Sequence, residues 1–134
     1  MRAGLIPGLE AEVEVTVTEA MVARFDELGM AHPVYATWMM AKHMEEASRK
    51  VILPFLEEGE DAVGQAIDIV HLAPTAVGER VRILAILDRV EGRRIHCRLE
   101  AENARERIGE GRNVQVVLSR DRLREKLRAI GAIR

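Results

Sequence analysis

One stretch of this chain, from about Val34 to Val51, repeats its apolar residues with the period of a helix, while most segments around it alternate with period two. Before it, Leu9, Ala11, Val13, Val15 and Val17 interleave with Glu10, Glu12, Glu14, Thr16 and Thr18, the pattern of a half-buried strand. After it come four strand-like runs. Gly64 to Leu72 is followed by a connector over Pro74 to Gly78, and Glu79 to Val90 then places Val81, Ile83, Ala85 and Leu87 on one face. Glu91-Gly92 predicts a tight hairpin into Arg94 to Glu102, where Ile95, Cys97, Leu99 and Ala101 alternate with charged neighbours. A polar turn near Asn103 leads into a last strand over Arg107 to Leu118. Ser119 is suited to cap a short C-terminal helix carrying Leu123, Leu127 and Ile130.

The region Ala20 to Pro33 mixes polar and apolar residues with breakers at Gly29 and Pro33, and is expected to form a short helical turn plus loop. Pro54 and the Glu57 to Asp61 stretch end the long helix. The expected order is strand, long helix, four strands in meander, short helix. That defines an α+β layer in which an antiparallel sheet of about five strands wraps one central helix, the hotdog arrangement. At 134 residues the whole chain is expected to be one such domain. A sheet this small leaves edges open, and pairing them across a two-fold axis covers them, so a homodimer is expected, with association of two dimers left open.

Composition narrows the function. Apolar residues make up 48% of the chain and charged residues 31%, with a net charge of −2, which predicts neither nucleic acid nor an acidic membrane as partner. No apolar run approaches the ~20 residues that span a bilayer, and the N-terminus does not read as a secretory signal. The single Cys97 can form no intramolecular disulfide and can anchor no thiolate zinc cluster alone. A reduced, cytoplasmic protein is expected.

Two side chains break their patterns. Along the helix, Val34, Trp38, Ala41, Glu45, Ser48 and Ile52 form one row, beside a second of Met40, Met44, Ala47 and Val51. Glu45 therefore falls in the apolar stripe, where a carboxylate is costly unless paired or left wet in a cleft. Either it serves as a base or it lies at the stripe's edge and reaches solvent or an Arg. His71 ends the face formed by Gln65, Ile67 and Ile69, and reads either as a general base or as a satisfied core imidazole. His43 and His96 read as exposed, and with His32 they form no ligand spacing, so no metal and no cofactor are expected. Thr37 reads as the helix N-cap. Two helical turns, about 12 Å of rise, would keep its hydroxyl from Glu45. The Met39, Met40, Met44 cluster reads as core, and Gly109-x-Gly111 as a bulge.

The combination of Val34-Tyr35-Ala36-Thr37, Met44-Glu45, Leu53-Pro54-Phe55-Leu56-Glu57-Glu58-Gly59-Glu60, Gly64-x-Ala66-Ile67, His71 with Pro74 and Gly78, and Val90-Glu91-Gly92-Arg93-Arg94 resembles the fluoroacetyl-CoA thioesterase-like family of hotdog proteins. The resemblance spans roughly residues 34 to 118. It implies a homodimer with acyl-CoA sites at the subunit interface and a catalytic group of Thr, Glu and His, which fall on Thr37, Glu45 and His71. It also implies a Gly beside the thioester carbonyl, matched by Gly64. A gating Phe of the fluoroacetate-specific member is replaced by Ala31-His32-Pro33, and a basic residue of its last strand by Gln115. The implied activity is hydrolysis of a short or medium acyl-CoA. The alternatives are a non-catalytic acyl-CoA or small-ligand binding module on the same fold, and a hydratase-type hotdog. For the latter, the spacing of Asp26 and His32 is off by a residue and lacks the intervening Asn-Pro.

Overall fold

The computed structural model describes residues 1–134. In chain order the elements are β1 (Glu10–Thr16), β2 (Val22–Phe25), β3 (Gly29–Tyr35), α1 (Thr37–Ile52), β4 (Glu60–His71), β5 (Arg80–Glu91), β6 (Arg94–Glu102), β7 (Arg107–Ser119) and α2 (Arg120–Ala129). Five strands form one antiparallel sheet in the order β1-β5-β6-β7-β4, curled around α1. This is the expected α+β architecture of five strands, one long helix and a short C-terminal helix.

The clean alternations land where they point. Val81, Ile83, Ala85 and Leu87 of β5, and Ile95, Cys97, Leu99 and Ala101 of β6, are all buried on the helix side. The β5–β6 turn is Gly92-Arg93, one residue later than expected, because Glu91 still pairs with Arg94. Gly92 takes a φ of 59°, which a side chain would disfavour. Ser119 caps α2 by accepting from the Arg122 N–H at 3.4 Å.

The meander is shorter than expected. β5, β6 and β7 follow one another, but β4 lies on the far edge beside β7. The segment between β4 and β5 cannot close a tight hairpin because it is bound elsewhere. Thr75 is buried, its carbonyl takes the Tyr35 N–H at 2.9 Å, and its hydroxyl accepts from Asn103 Nδ2 at 3.1 Å. Ala76 bridges Val34. Over Ala20 to Pro33 the expected helical turn is a 3₁₀ turn, Glu19–Met21, but the expected loop is instead a two-stranded ribbon of β2 and β3. Register shifts at Val22/Ala23 and Ala23/Arg24 erase its alternation, and Pro33 is tolerated in a ribbon with open edges.

α1 begins at Thr37, three residues later than the pattern predicts, since Val34 and Tyr35 belong to β3. The Met40, Met44, Ala47, Val51 row faces the sheet and is buried, whereas Trp38 and Glu45 of the other row are exposed. His43 is a second correction. It is only 5% exposed and bonds the buried Tyr35 hydroxyl at 2.5 Å through Nδ1, because it shares a helix face with Met40 and Ala47. His96 is half-buried on the outer face of β6, with Nε2 3.4 Å from Glu91 Oε1.

The bulge expected at Gly109-x-Gly111 falls at its start, where Ile108 is an extra residue against β6 between the Glu102–Arg107 and Ala101–Gly109 pairs. Gly109 and Gly111 themselves are paired. Both stay in register with β4 and β6, opposite His71 and Ala101 and opposite Ile69 and Leu99. A β-carbon at Gly109 would meet Met40 Sδ and stand 3.0 Å from its Cε, and one at Gly111 would stand 3.5 Å from Met44 Sδ. The glycines let α1 lie close on the sheet. Gly109→Ala is therefore expected to destabilise the fold by about 1–3 kcal/mol, read as a lower urea midpoint.

Burial holds the His43 imidazole below its ordinary range, opposed by nearby Glu46. The unfolded chain then binds more protons than the folded one as pH falls below about 6.5, so stability is full above that value and declines below it. His71 acts in the same direction. The urea midpoint is expected to fall between about pH 7.5 and pH 5, and the Tyr35→Phe/His43→Leu pair to lessen that fall by removing the share of His43.

Candidate active site

Two pairs of side chains meet where α1 crosses β4. At the start of α1, Thr37 Oγ1 lies 2.8 Å from His71 Nδ1. Thr37 is not the N-cap expected of it. Ala36 holds that position and offers no side-chain cap, which leaves the Thr37 hydroxyl to the imidazole. Thr37 is placed by its neighbours: the Tyr35 N–H donates to Thr75 O and the Ala36 N–H to Met21 O, both at 2.9 Å. The end of β4 is tied down by the Leu72 N–H, which donates to Ile108 O at 2.7 Å.

Two turns further along α1, the exposed carboxylate of Glu45 lies over Gly64. A β-carbon at Gly64 would stand 3.0 Å from Glu45 Cδ and closer still to Oε1. A side chain there would displace the carboxylate from this position. Glu45 thus sits at the margin of the buried stripe, as the second reading of the helix pattern had it, but it has no Arg partner. Arg49, one turn on, donates to Asp61 Oδ1 at 2.9 Å and to the Ala62 carbonyl. Within the protomer, Glu45 makes no hydrogen bond to Thr37 or His71, as the helical rise requires.

Desolvation lowers the His71 pKa, with a backbone hydrogen bond at Ala73 opposing it. Its Nε2 is buried without a partner. The imidazole is therefore neutral near pH 7 and has one nitrogen uncommitted. Cys97 is a poor nucleophile by contrast, since burial pushes its thiol up to about 11.

Three features were hidden from the sequence reading. Asn113 and Gln115 are buried beside Gly64, and Tyr35 is paired with His43. The signal for the amides was there, because they occupy inward positions of β7 in step with buried Val117. A surface cleft of about 360 Å³ lies elsewhere, on the outer face of the sheet between Asp68, Arg98 and Arg112. Its charges are largely paired with one another, as in Arg107–Glu100 at 3.3 Å.

A curled five-stranded antiparallel sheet around one long helix is the hotdog architecture. A Thermus thermophilus thioesterase superfamily member shares 46% identity, with a TM-score of 0.94 over 96% of this chain and 94% of that one. The profile of the fluoroacetyl-CoA-specific thioesterase family matches residues 17–121, and the chain belongs to that family, a family of thioester hydrolases. The fluoroacetyl-CoA thioesterase of Streptantibioticus cattleyicolor is 37% identical over 95 residues, covering 71% of this chain and 68% of that protein. A solved fluoroacetyl-CoA-specific thioesterase variant has a TM-score of 0.87 at 31% identity, over 96% of this chain and 98% of its own.

The His71 imidazole, followed by NMR, is expected to titrate below about 6.5. Thr37→Val, which removes the hydroxyl from Nδ1, is expected to shift that titration. An unshifted, ordinary titration would show that the imidazole is solvated and unpaired.

Proposed function

We propose that this protein is a homodimeric acyl-CoA thioesterase that hydrolyses a short or medium acyl-CoA to the free acid and CoA. The observation that carries this reading is the 2.8 Å contact between Thr37 Oγ1 and His71 Nδ1, which leaves Nε2 free. For Nε2 to accept a proton, the ring proton must sit on Nδ1 and be donated to Thr37. The Thr37 hydroxyl then keeps its own proton for the thioester carbonyl. His71 acts as general base toward water, Thr37 as donor to the carbonyl, and a backbone N–H at Gly64 as part of the oxyanion site. Glu45 supplies the unpaired carboxylate that orients the water or attacks the carbonyl.

The dimer follows from the sheet. β4 is an edge strand, paired only with β7. It exposes Ile67 at 42% and Val70 at 56%, next to His71. An open apolar edge of this kind invites a second copy, and pairing there places the partner against the site. No helix is long and apolar enough to cross a membrane, and Cys97 is unpaired and buried. A cytoplasmic setting with the chain acting as one domain suits both.

The general substrate class rests on two departures. The segment before Thr37 is Ala31-His32-Pro33, with no aromatic gate, and Gln115 is a neutral amide. Neither selects for fluorine, so fluoroacetyl-CoA is one substrate of several.

Free-thiol release from acetyl- through decanoyl-, fluoroacetyl- and phenylacetyl-CoA tests the reading. Turnover is expected with at least one ester, and His71→Ala and Glu45→Ala are each expected to lower kcat by about 10²–10⁴-fold with the fold intact. Binding of the esters without turnover would replace the enzyme with a ligand-binding module. Sedimentation should give a dimer that Val70→Glu splits.

A further inference from the structure

β4 carries one irregularity in its pairing with β7. Gly64 lies opposite Gln115 and Ala66 opposite Val114, so Gln65 is an extra, unpaired residue. Facing this bulge from β7 are two inward-pointing amides, Asn113 at 2% and Gln115 at 1% exposure. Asn113 Nδ2 donates to the Ala66 carbonyl at 2.9 Å, and Asn113 Oδ1 accepts from Gln115 Nε2 at 3.0 Å.

The sense of this chain is not arbitrary. A carbonyl can only accept, so Ala66 requires the amino end of Asn113. That turns the oxygen of Asn113 to Gln115 and requires the amino end of Gln115 in turn. Gln115 Oε1 is left buried with no partner. Gln115 Nε2 also stands 3.8 Å from the point where a Gly64 β-carbon would lie, the same point that Glu45 Cδ approaches to 3.0 Å. The amides therefore form the floor beneath the Glu45–Gly64 contact. Buried amides are a costly choice where the alternation calls for apolar side chains such as that of Val117, and a core alone gives no reason for them.

We infer that Asn113 and Gln115 are positioning residues, whose directed amide chain holds the Gly64–Ala66 bulge so that the Gly64 backbone stays beneath the Glu45 carboxylate. The inference rests on the reading of Glu45 and Gly64 as parts of the thioesterase site. The bulge takes Gln65 out of the ladder, and the Asn113 side chain supplies the cross-strand bond to Ala66. The brace thus acts on the backbone that carries the oxyanion site, without touching the acyl group.

The test compares the wild type with Asn113→Leu/Gln115→Leu and with Asn113→Asp. The double variant removes both amides in similar volume and leaves only the Ala66 carbonyl without its side-chain donor, which lowers stability. The Asp variant keeps the shape but removes the donor to Ala66. Each protein is assayed for kcat and KM on its best acyl-CoA, for melting midpoint, and for amide exchange across residues 64–67. The double variant is expected to fold with a lowered melting midpoint, exchange faster at 64–67 alone, and lose about 100-fold in kcat. KM should stay within about threefold, as for an interaction felt mainly in the transition state. Unchanged kcat in a folded variant, unchanged exchange at 64–67, or failure of both variants to fold would overturn the inference and make the amides ordinary structure. A wild type that turns over no acyl-CoA would instead sink the thioesterase reading itself, and the catalytic role of the brace with it.

Discussion

The close approach of α1 to the sheet, Met40 on Gly109 and Met44 on Gly111, sets the geometry on which the other contacts depend. A side chain at Gly109 would push the helix off β7, and one at Gly111 would run into the Asp68 carbonyl of the neighbouring β4. Dispersion falls steeply with a gap of even half an ångström, so the height of the helix is well defined. His71 lies directly opposite Gly109 in the ladder, and Met40 is one turn from Thr37. The contact that seats the helix therefore also fixes the separation of the Thr37 hydroxyl and the His71 ring. The geometry of that pair is a consequence of core packing at one glycine.

The charges are arranged to leave the site alone. Arg49 is drawn away to Asp61, Arg82 bonds Glu12 and Glu102, and Arg107 bonds Glu100 and Glu110. Exposed pairs of this kind contribute at most about 1 kcal/mol each. Glu45 takes part in none of them. His71 is kept neutral by burial, so the site combines an uncharged base with an unpaired carboxylate. Beneath them, the Asn113–Gln115 chain is polar without being charged, and so supports the bulge without competing for either group.

Much of the fold was legible wherever a strand buries one face and wets the other. β5 and β6 read correctly because Val81 to Leu87 and Ile95 to Ala101 alternate without interruption. The β2–β3 ribbon did not, because it shifts register twice and buries little. His43 read as exposed because it falls in neither of the two apolar rows of the helix. Burial on a helix wrapped by a curled sheet extends further round than a single stripe. Thr37 read as a cap because a hydroxyl at a helix start normally serves there. Its actual partner is 34 residues away in sequence.

The sequence alone determined the five strands of the main sheet and the two α-helices, the inward residues of the central strands, and the oddity of Glu45 and His71. These follow from local periodicity, which is set by backbone geometry and the cost of burying polar groups. Tertiary structure decided which strand lies on the edge, what the Thr37 hydroxyl bonds, and why residue 64 has no side chain. Each of those depends on an approach between segments distant in sequence, β4 against β7 or α1 against β4, and no local pattern encodes how closely two such segments meet.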